Sequence, residues 1–172
     1  RVALAECAAM DIERVPVDAS SEYRLACVYS FGRGLFERDA LRGSATSYSY
    51  LHLLRLDQLV MSKLKAWEGA FAVVGAHFDG AHLSPEFPTY TVDKRLVDPR
   101  FLRLVVSRPD FRQLAAAQSK GMGGRKERVN ATALLAVQID LPPLDEQLRA
   151  VDLIEQLDGN AKASLEIASA AS

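Results

Sequence analysis

Residues 22–31 read EYRLACVYSF. Tyr23, Leu25, Cys27, Tyr29 and Phe31 fall on alternate positions, and a period of two rich in aromatics marks a β-strand. GRG at 32–34 ends it, and Gly43 with the Ser/Thr run after it makes 41–50 a loop. Downstream, Leu51 to Val74 reads as strands with short breaks. Over 59–67, Lys63, Lys65 and Trp67 alternate with Leu64 and Ala66, which as a strand puts two lysines and a tryptophan on one face. AFAVVGA at 70–76 has the look of a buried strand. Asp79-Gly80 predicts a hairpin turn with positive φ at both central positions. FPTYTV at 87–92 is a further strand, with Pro88 at its start or at a sheet edge.

Helical signals dominate the second half. Asp98-Pro99 supplies a cap acceptor followed by proline at the first helical position, and Phe101, Leu102, Val105 and Val106 form the apolar stripe. Ser107-Arg108-Pro109-Asp110 restarts a second helix with Phe111, Leu114 and Ala115 inward, stopped by Gly121. LLAVQIDL at 134–141 reads as a strand. Pro142-Pro143 ends it and opens the last helix, with Asp145 and Glu146 where the helix dipole favours acids. Leu144, Leu148, Val151, Ile154, Leu157, Ala161, Leu165 and Ala168 recur at steps of three and four. The fold class is therefore mixed α and β (α+β), a mostly antiparallel twisted sheet flanked by helices. Residues 1–142 form the domain, and 143–172 begin a long amphipathic helix that wants a partner helix.

The 172 residues are 49% hydrophobic and 25% charged, enough for one globular core plus an appendage. No apolar run approaches the about 20 residues of a membrane span. Nor is there a signal-peptide pattern at the N-terminus, and the opening Arg1 points to a fragment or a trimmed chain. Cys7 and Cys27 lack a CxxC spacing, which fits two reduced thiols in a cytoplasmic protein better than a disulfide. His52, His77 and His82 form no metal spacing. The formal charge is −1, yet SKGMGGRKERVN (119–130) alone carries +3, leaving −4 on the other 160 residues. Positive charge is concentrated in one glycine-rich segment.

Catalytic patterns are missing. GMGGRK (121–126) fits neither GxGxxG nor GxxxxGK[ST]. SFGRGLF is one residue out of step with the glycine turn that holds S-adenosylmethionine, and LPPL (141–144) is no DPPY-like tetrapeptide. No lysine has an acid two residues before it, as many metal-dependent nucleases need. No serine sits in GxSxG, and neither cysteine neighbours a base. Glu68 and Glu86 read as solvated surface acids.

Read in order, EYRLACVYSFGRGLFERDALRG (22–43), LDQLVMSKLKAWEGAFAVV (56–74), FDG, LSPEFPTYTVD, VDPRFL, GGRKERVN and IDLPPLDEQ resemble the specificity subunit of type I restriction–modification systems. The likeness runs from about residue 11 to 158. It implies a target recognition domain plus the start of a spacer helix, about half of a full subunit. A fragment, a natural half-subunit and the recognition part of a related system all fit that share. The resemblance further implies a non-catalytic, sequence-specific double-stranded DNA recognition module that reads half of a bipartite site. Its partners are then methyltransferase subunits, a restriction motor–nuclease subunit, and a second recognition domain or second copy joined through the C-terminal helix. No cofactor is expected in this chain, S-adenosylmethionine belonging to the methyltransferase subunit. A helix-mediated scaffold without DNA affinity is the competing reading, motivated by the acidic remainder and the apolar stripe.

DNA affinity comes from cations on phosphates and specificity from base edges. The expected contacts are Arg125, Lys126 and Arg128 with Lys120 beside them, arginine being suited to grip guanine bidentately. Against this stands a solvated loop whose charges offset nearby acids. Lys63, Lys65 and Trp67 form a second group, opposed by Trp67 as core. Ser47, Tyr48 and Ser49 offer hydroxyls for phosphate or base contacts, against the reading of a plain loop, and Arg33 is a further candidate contact, in a turn that its glycines alone could also explain. Tyr29 and Phe31 read as core. The partner-helix residues are Leu144, Leu148, Val151, Ile154 and Leu157. A pI near 6.4 departs from the basic habit of DNA-binding domains, which is tolerable if other subunits supply the general grip.

Overall fold

The structure, a computed structural model, describes residues 1–118 and 128–170, and of 162–170 the backbone only. Eleven described strands run in chain order as β1 (Val2–Ala3), β2 (Ala8–Met10), β3 (Glu13–Pro16), β4 (Glu22–Val28), β5 (Leu35–Arg42), β6 (Tyr50–Leu53), β7 (Leu59–Met61), β8 (Phe71–Val73), β9 (His82–Leu83), β10 (Thr89–Val92) and β11 (Gln138–Ile139). The helices are α1 (Pro99–Ser107), α2 (Pro109–Ala116), α3 (Ala131–Leu134) and α4 (Leu144–Ala170). Three sheets form among the described residues: β1-β11, β2-β10-β7-β8 and β3-β6-β9-β4-β5. Every pairing is antiparallel except β4 with β9. The expected α+β class holds, with the strands divided among three sheets.

The four-stranded sheet is the middle layer, and alternation within its strands decides which core each side chain joins. Leu59, Met61 and Phe71 face α1 and α2, where they meet Leu102, Val106, Phe111 and Ala115. The Phe71 and Phe111 rings pack edge to face at 5.1 Å. Val60 and Ala72 point the other way, to Ala26 and Val28 of β4 and Leu83 of β9. Burial on both faces is why 70–76 reads as an unbroken apolar run. Pro88 precedes a strand that is central, since β10 has β2 on one side and β7 on the other.

Asp98 caps α1 as expected, its carboxylate accepting from the N–H groups of Arg100 at 2.7 Å and Phe101 at 3.4 Å. Such a cap contributes about 1 kcal/mol. In α2, Phe111 and Ala115 are buried but Leu114 is exposed. The 134–141 stretch is a strand only over Gln138–Ile139. Leu134 closes α3, which Asn130 caps by accepting from the Thr132 N–H at 2.9 Å.

Two other expectations change in detail. The strand from residue 22 stops at Val28, and a bulge between Tyr23 and Leu25 shifts its parity. Tyr23, Ala26 and Val28 are buried, while Leu25 and Cys27 are half-buried. Asp79-Gly80 is no hairpin of the expected kind. Asp79 has φ −59° and ψ 128°, Gly80 has φ +77°, and the Ala81 N–H donates to the Phe78 carbonyl at 3.0 Å. That is a type II turn, which needs positive φ only at the glycine. It leads into β9, whereas β8 lies in a different sheet.

The last helix is bound into the domain over its first turns. Gln147 is fully buried. Its side-chain oxygen accepts from the Asp98 N–H at 2.9 Å, and its amide nitrogen donates to the carbonyls of Leu96 at 2.9 Å and Pro142 at 2.8 Å. Every strong hydrogen-bonding position of the amide but one is therefore used. Arg100 adds exposed ion pairs to Asp152 and Glu155, which contribute little in water.

Candidate nucleic-acid interface

Around the turn between β4 and β5, three exposed aromatics stand among three cations. The Tyr29 N–H donates to the Gly34 carbonyl at 2.9 Å, closing the turn. The Tyr29 ring stacks on Phe36 at 4.0 Å, and the Arg33 guanidinium lies 4.5 Å from the centre of the Tyr29 ring. Phe31 follows at φ +64°, in the left-handed region. Its N–H donates to the Glu68 carbonyl and that of Gly32 to the Gly69 carbonyl, both at 2.9 Å. Gly32 is required here by space, since a Cβ on it would lie 2.5 Å from the Ser107 Cα.

The segment that receives this turn is a short 3-10 helix, Ala66–Glu68, ended by Gly69 in the left-handed region. One Glu68 carboxylate oxygen accepts from the Lys65 ammonium at 2.6 Å and the other from the Ser30 hydroxyl at 2.7 Å. Lys65 first and Ser30 second hold the Glu68 carboxyl below its ordinary range. Lys65 lies 5.6 Å from the Trp67 ring, whose N–H donates to the Leu64 carbonyl. From α2, Arg112 reaches to 5.4 Å from the Phe31 ring. These are cation–π distances.

The expected Lys63–Lys65–Trp67 strand face does not form. β7 ends at Met61, and the Lys65 N–H turns back to the Ser62 carbonyl and hydroxyl. Lys65 and Trp67 come together through the 3-10 turn, while the Lys63 ammonium donates elsewhere, to the Pro85 carbonyl at 3.0 Å. Trp67 is not core, being 42% exposed. Tyr29 at 39% and Phe31 at 59% are likewise surface residues. For them the core expectation fails, because the strand that was to bury them has ended at Val28.

Arg33 thus joins Lys65 and Trp67 in one patch. Arg128 stands apart, 3.5 Å from Glu86, and the Val129 N–H donates to the Lys63 carbonyl. Of the cationic segment, this described end does offset an acid. Lys120, Arg125 and Lys126 lie outside the described residues. Ser47, Tyr48 and Ser49 are exposed on the connection to β6. Tyr48 borders a groove with Leu25, Cys27 and Arg38, separate from the aromatic patch.

On α4, Leu148, Ile154 and Leu157 are exposed as a partner-seeking face requires, and Leu153 with them. Val151 is not available for a partner: it is 2% exposed, covered by its own domain. Leu144 is half-buried.

Among the described residues, no group of three His, Cys, Asp or Glu side chains could hold a metal ion, and no helix is long and apolar enough to cross a membrane. His52 is buried with Nδ1 at 2.8 Å from the Phe87 carbonyl, and His82 packs edge-on to Tyr23. Cys7 and Cys27 are free thiols. Burial, then the nearby Glu6 and Asp93, push the Cys7 thiol up to about 11, which makes it a poor nucleophile. What the patch offers instead is charge for phosphates and flat apolar faces for bases.

The architecture is that of an α+β domain with a long helix leaving it. It superposes on the HsdS subunit from Thermoanaerobacter tengcongensis with a TM-score of 0.75 at 22% identity. A chain from a type I R-M system, solved to explain complex assembly and conformational transition, gives 0.73 at 20% identity. Both superpositions cover 96% of this chain and 43% of the other, so this chain spans less than half the length of either relative. No family model and no curated protein matches the sequence. The fold of specificity subunits is therefore this chain's fold.

Reasoning from sequence missed Tyr29, Phe31 and Arg112 at the patch, and Gln147 at the helix base. Glycines on both sides of Arg33 were the available signal for a tight, presented turn.

Proposed function

We propose that the chain is a target recognition domain of a type I restriction–modification specificity subunit. In this reading it is a non-catalytic module that binds double-stranded DNA and directs methyltransferase and restriction motor–nuclease subunits to half of a bipartite site. The observation that carries the reading is the match to HsdS over 96% of the chain. The basic and aromatic patch supports it, since Arg33, Lys65 and Arg112 outnumber Glu68, whose oxygens are already engaged. The cationic segment with Lys120, Arg125, Lys126 and Arg128 would add base readout. S-adenosylmethionine would be held by the methyltransferase subunits, and the site of action would be cytoplasmic.

The scaffold reading has its own observation, the exposed Leu148, Leu153, Ile154 and Leu157. The two combine if α4 pairs with a second recognition domain or a second copy. Methylome mapping tests the proposal directly, in cells carrying the gene with its cognate methyltransferase. One bipartite methylated motif is expected, lost when this gene is deleted. An unchanged methylome after deletion would overturn the proposal.

A further inference from the structure

We propose that Phe31 is a wedge that enters the base stack of a DNA duplex while Arg33 and Arg112 hold phosphates beside the opened step. This rests on the DNA-recognition reading above and adds to it a residue and a mode of contact.

The backbone at this position, with φ +64°, favours another residue. A β-carbon is disfavoured in the left-handed region, and a bulky ring there is an outlier where glycine or asparagine would fit. The ring is also 59% exposed, the largest fraction among the described large hydrophobics that stand in water. An observed outlier of this kind is a pointer to function. The ring is held ready: backbone bonds from Phe31 and Gly32 to the Glu68 and Gly69 carbonyls fix the turn, and Gly32 sits against the Ser107 backbone. Little ordering is then left to be done on binding.

The surroundings define the partner chemistry. Arg112 lies 5.4 Å from the Phe31 ring, Arg33 sits two residues on, and in the segment that receives the turn Lys65 stands at the N-cap and Trp67 at the centre. A flat apolar ring beside cations matches stacked bases bordered by phosphates. Apolar side chains that part a base step and kink the duplex are an established way of binding DNA.

The test uses the full chain, alone and with its methyltransferase subunits, on a duplex carrying the motif that methylome mapping identifies. Phe31→Asn is the informative variant, because asparagine suits the left-handed backbone. It should leave unfolding unchanged or shifted upward in temperature, yet weaken binding roughly tenfold or more, as expected for losing one stacking contact. Phe31→Trp should keep most of the affinity. Single mismatches placed through the duplex should restore Phe31→Asn binding at one step, where the unstacking is already done. Equal affinity for wild type and Phe31→Asn overturns the wedge and leaves DNA recognition standing. So does a loss that no mismatch position relieves, or a loss confined to methyltransferase-subunit binding. Failure of the wild type to bind the duplex, alone and with its subunits, overturns both.

Discussion

Replacing Gln147 by leucine keeps the volume and removes three hydrogen bonds at the base of α4. The Asp98 N–H and the Leu96 and Pro142 carbonyls are left facing an apolar side chain. At about 1 kcal/mol net per bond the loss is about 3 kcal/mol. It rises towards 5 kcal/mol, roughly, if the stranded groups stay dry. For a chain of this size, about 3 kcal/mol lowers the unfolding temperature by roughly 6–12 °C. Urea unfolding followed by circular dichroism measures it. Gln147→Glu sharpens the test. The carboxylate can still accept from the Asp98 N–H but meets two carbonyls it cannot serve, and both burial and those carbonyls raise its pKa. A raised folded-state pKa means stability gained as pH falls, so this variant should recover partly near about pH 5. A loss below about 1 kcal/mol for leucine, with no pH recovery for glutamate, would refute the view that this amide ties the helix to the domain.

Two further outcomes follow from buried groups. Burial first, then the Lys63 and Arg14 charges, hold the His52 imidazole below its ordinary 6.5, outweighing the Phe87 carbonyl, and burial does the same for His82. The unfolded chain therefore takes up protons that the folded one refuses. Stability should fall as pH drops below 6.5, and replacing both histidines by glutamine should flatten that slope in urea titrations; an unaltered slope assigns the acid loss to other groups. Cys7, with its thiol pushed up to about 11, should resist iodoacetamide at about pH 8 while half-buried Cys27 reacts first. Peptide mapping that finds equal rates would contradict the burial of Cys7.

What the sequence made legible was local or periodic. Asp98-Pro99 announces α1 because cap chemistry sits within four residues. The two-sided burial of β8 announces itself as an apolar run. By contrast β5 has Glu37, Arg38 and Asp39 at its centre, and only its pairing with β4 makes it a strand. Alternation across Lys63–Trp67 misled because Ser62 and Gly69 bend the backbone there, a local conflict that periodicity does not register. Patch residues were half legible. Arg33, Lys65 and Trp67 stood out by type, but Arg112 meets Phe31 across 81 positions of chain, a contact that tertiary packing decides. Gln147 was visible only as one letter of a motif. Its partners at 96, 98 and 142 gather around it only once the domain has closed.

The short ladder of β1 with β11 sets Val2 opposite Ile139. The first described strand and the last thus lie side by side, just ahead of the Gln147 anchor. A ladder this short has no reserve: fraying of one strand strips the hydrogen bonds of the other, so the two loosen or hold together.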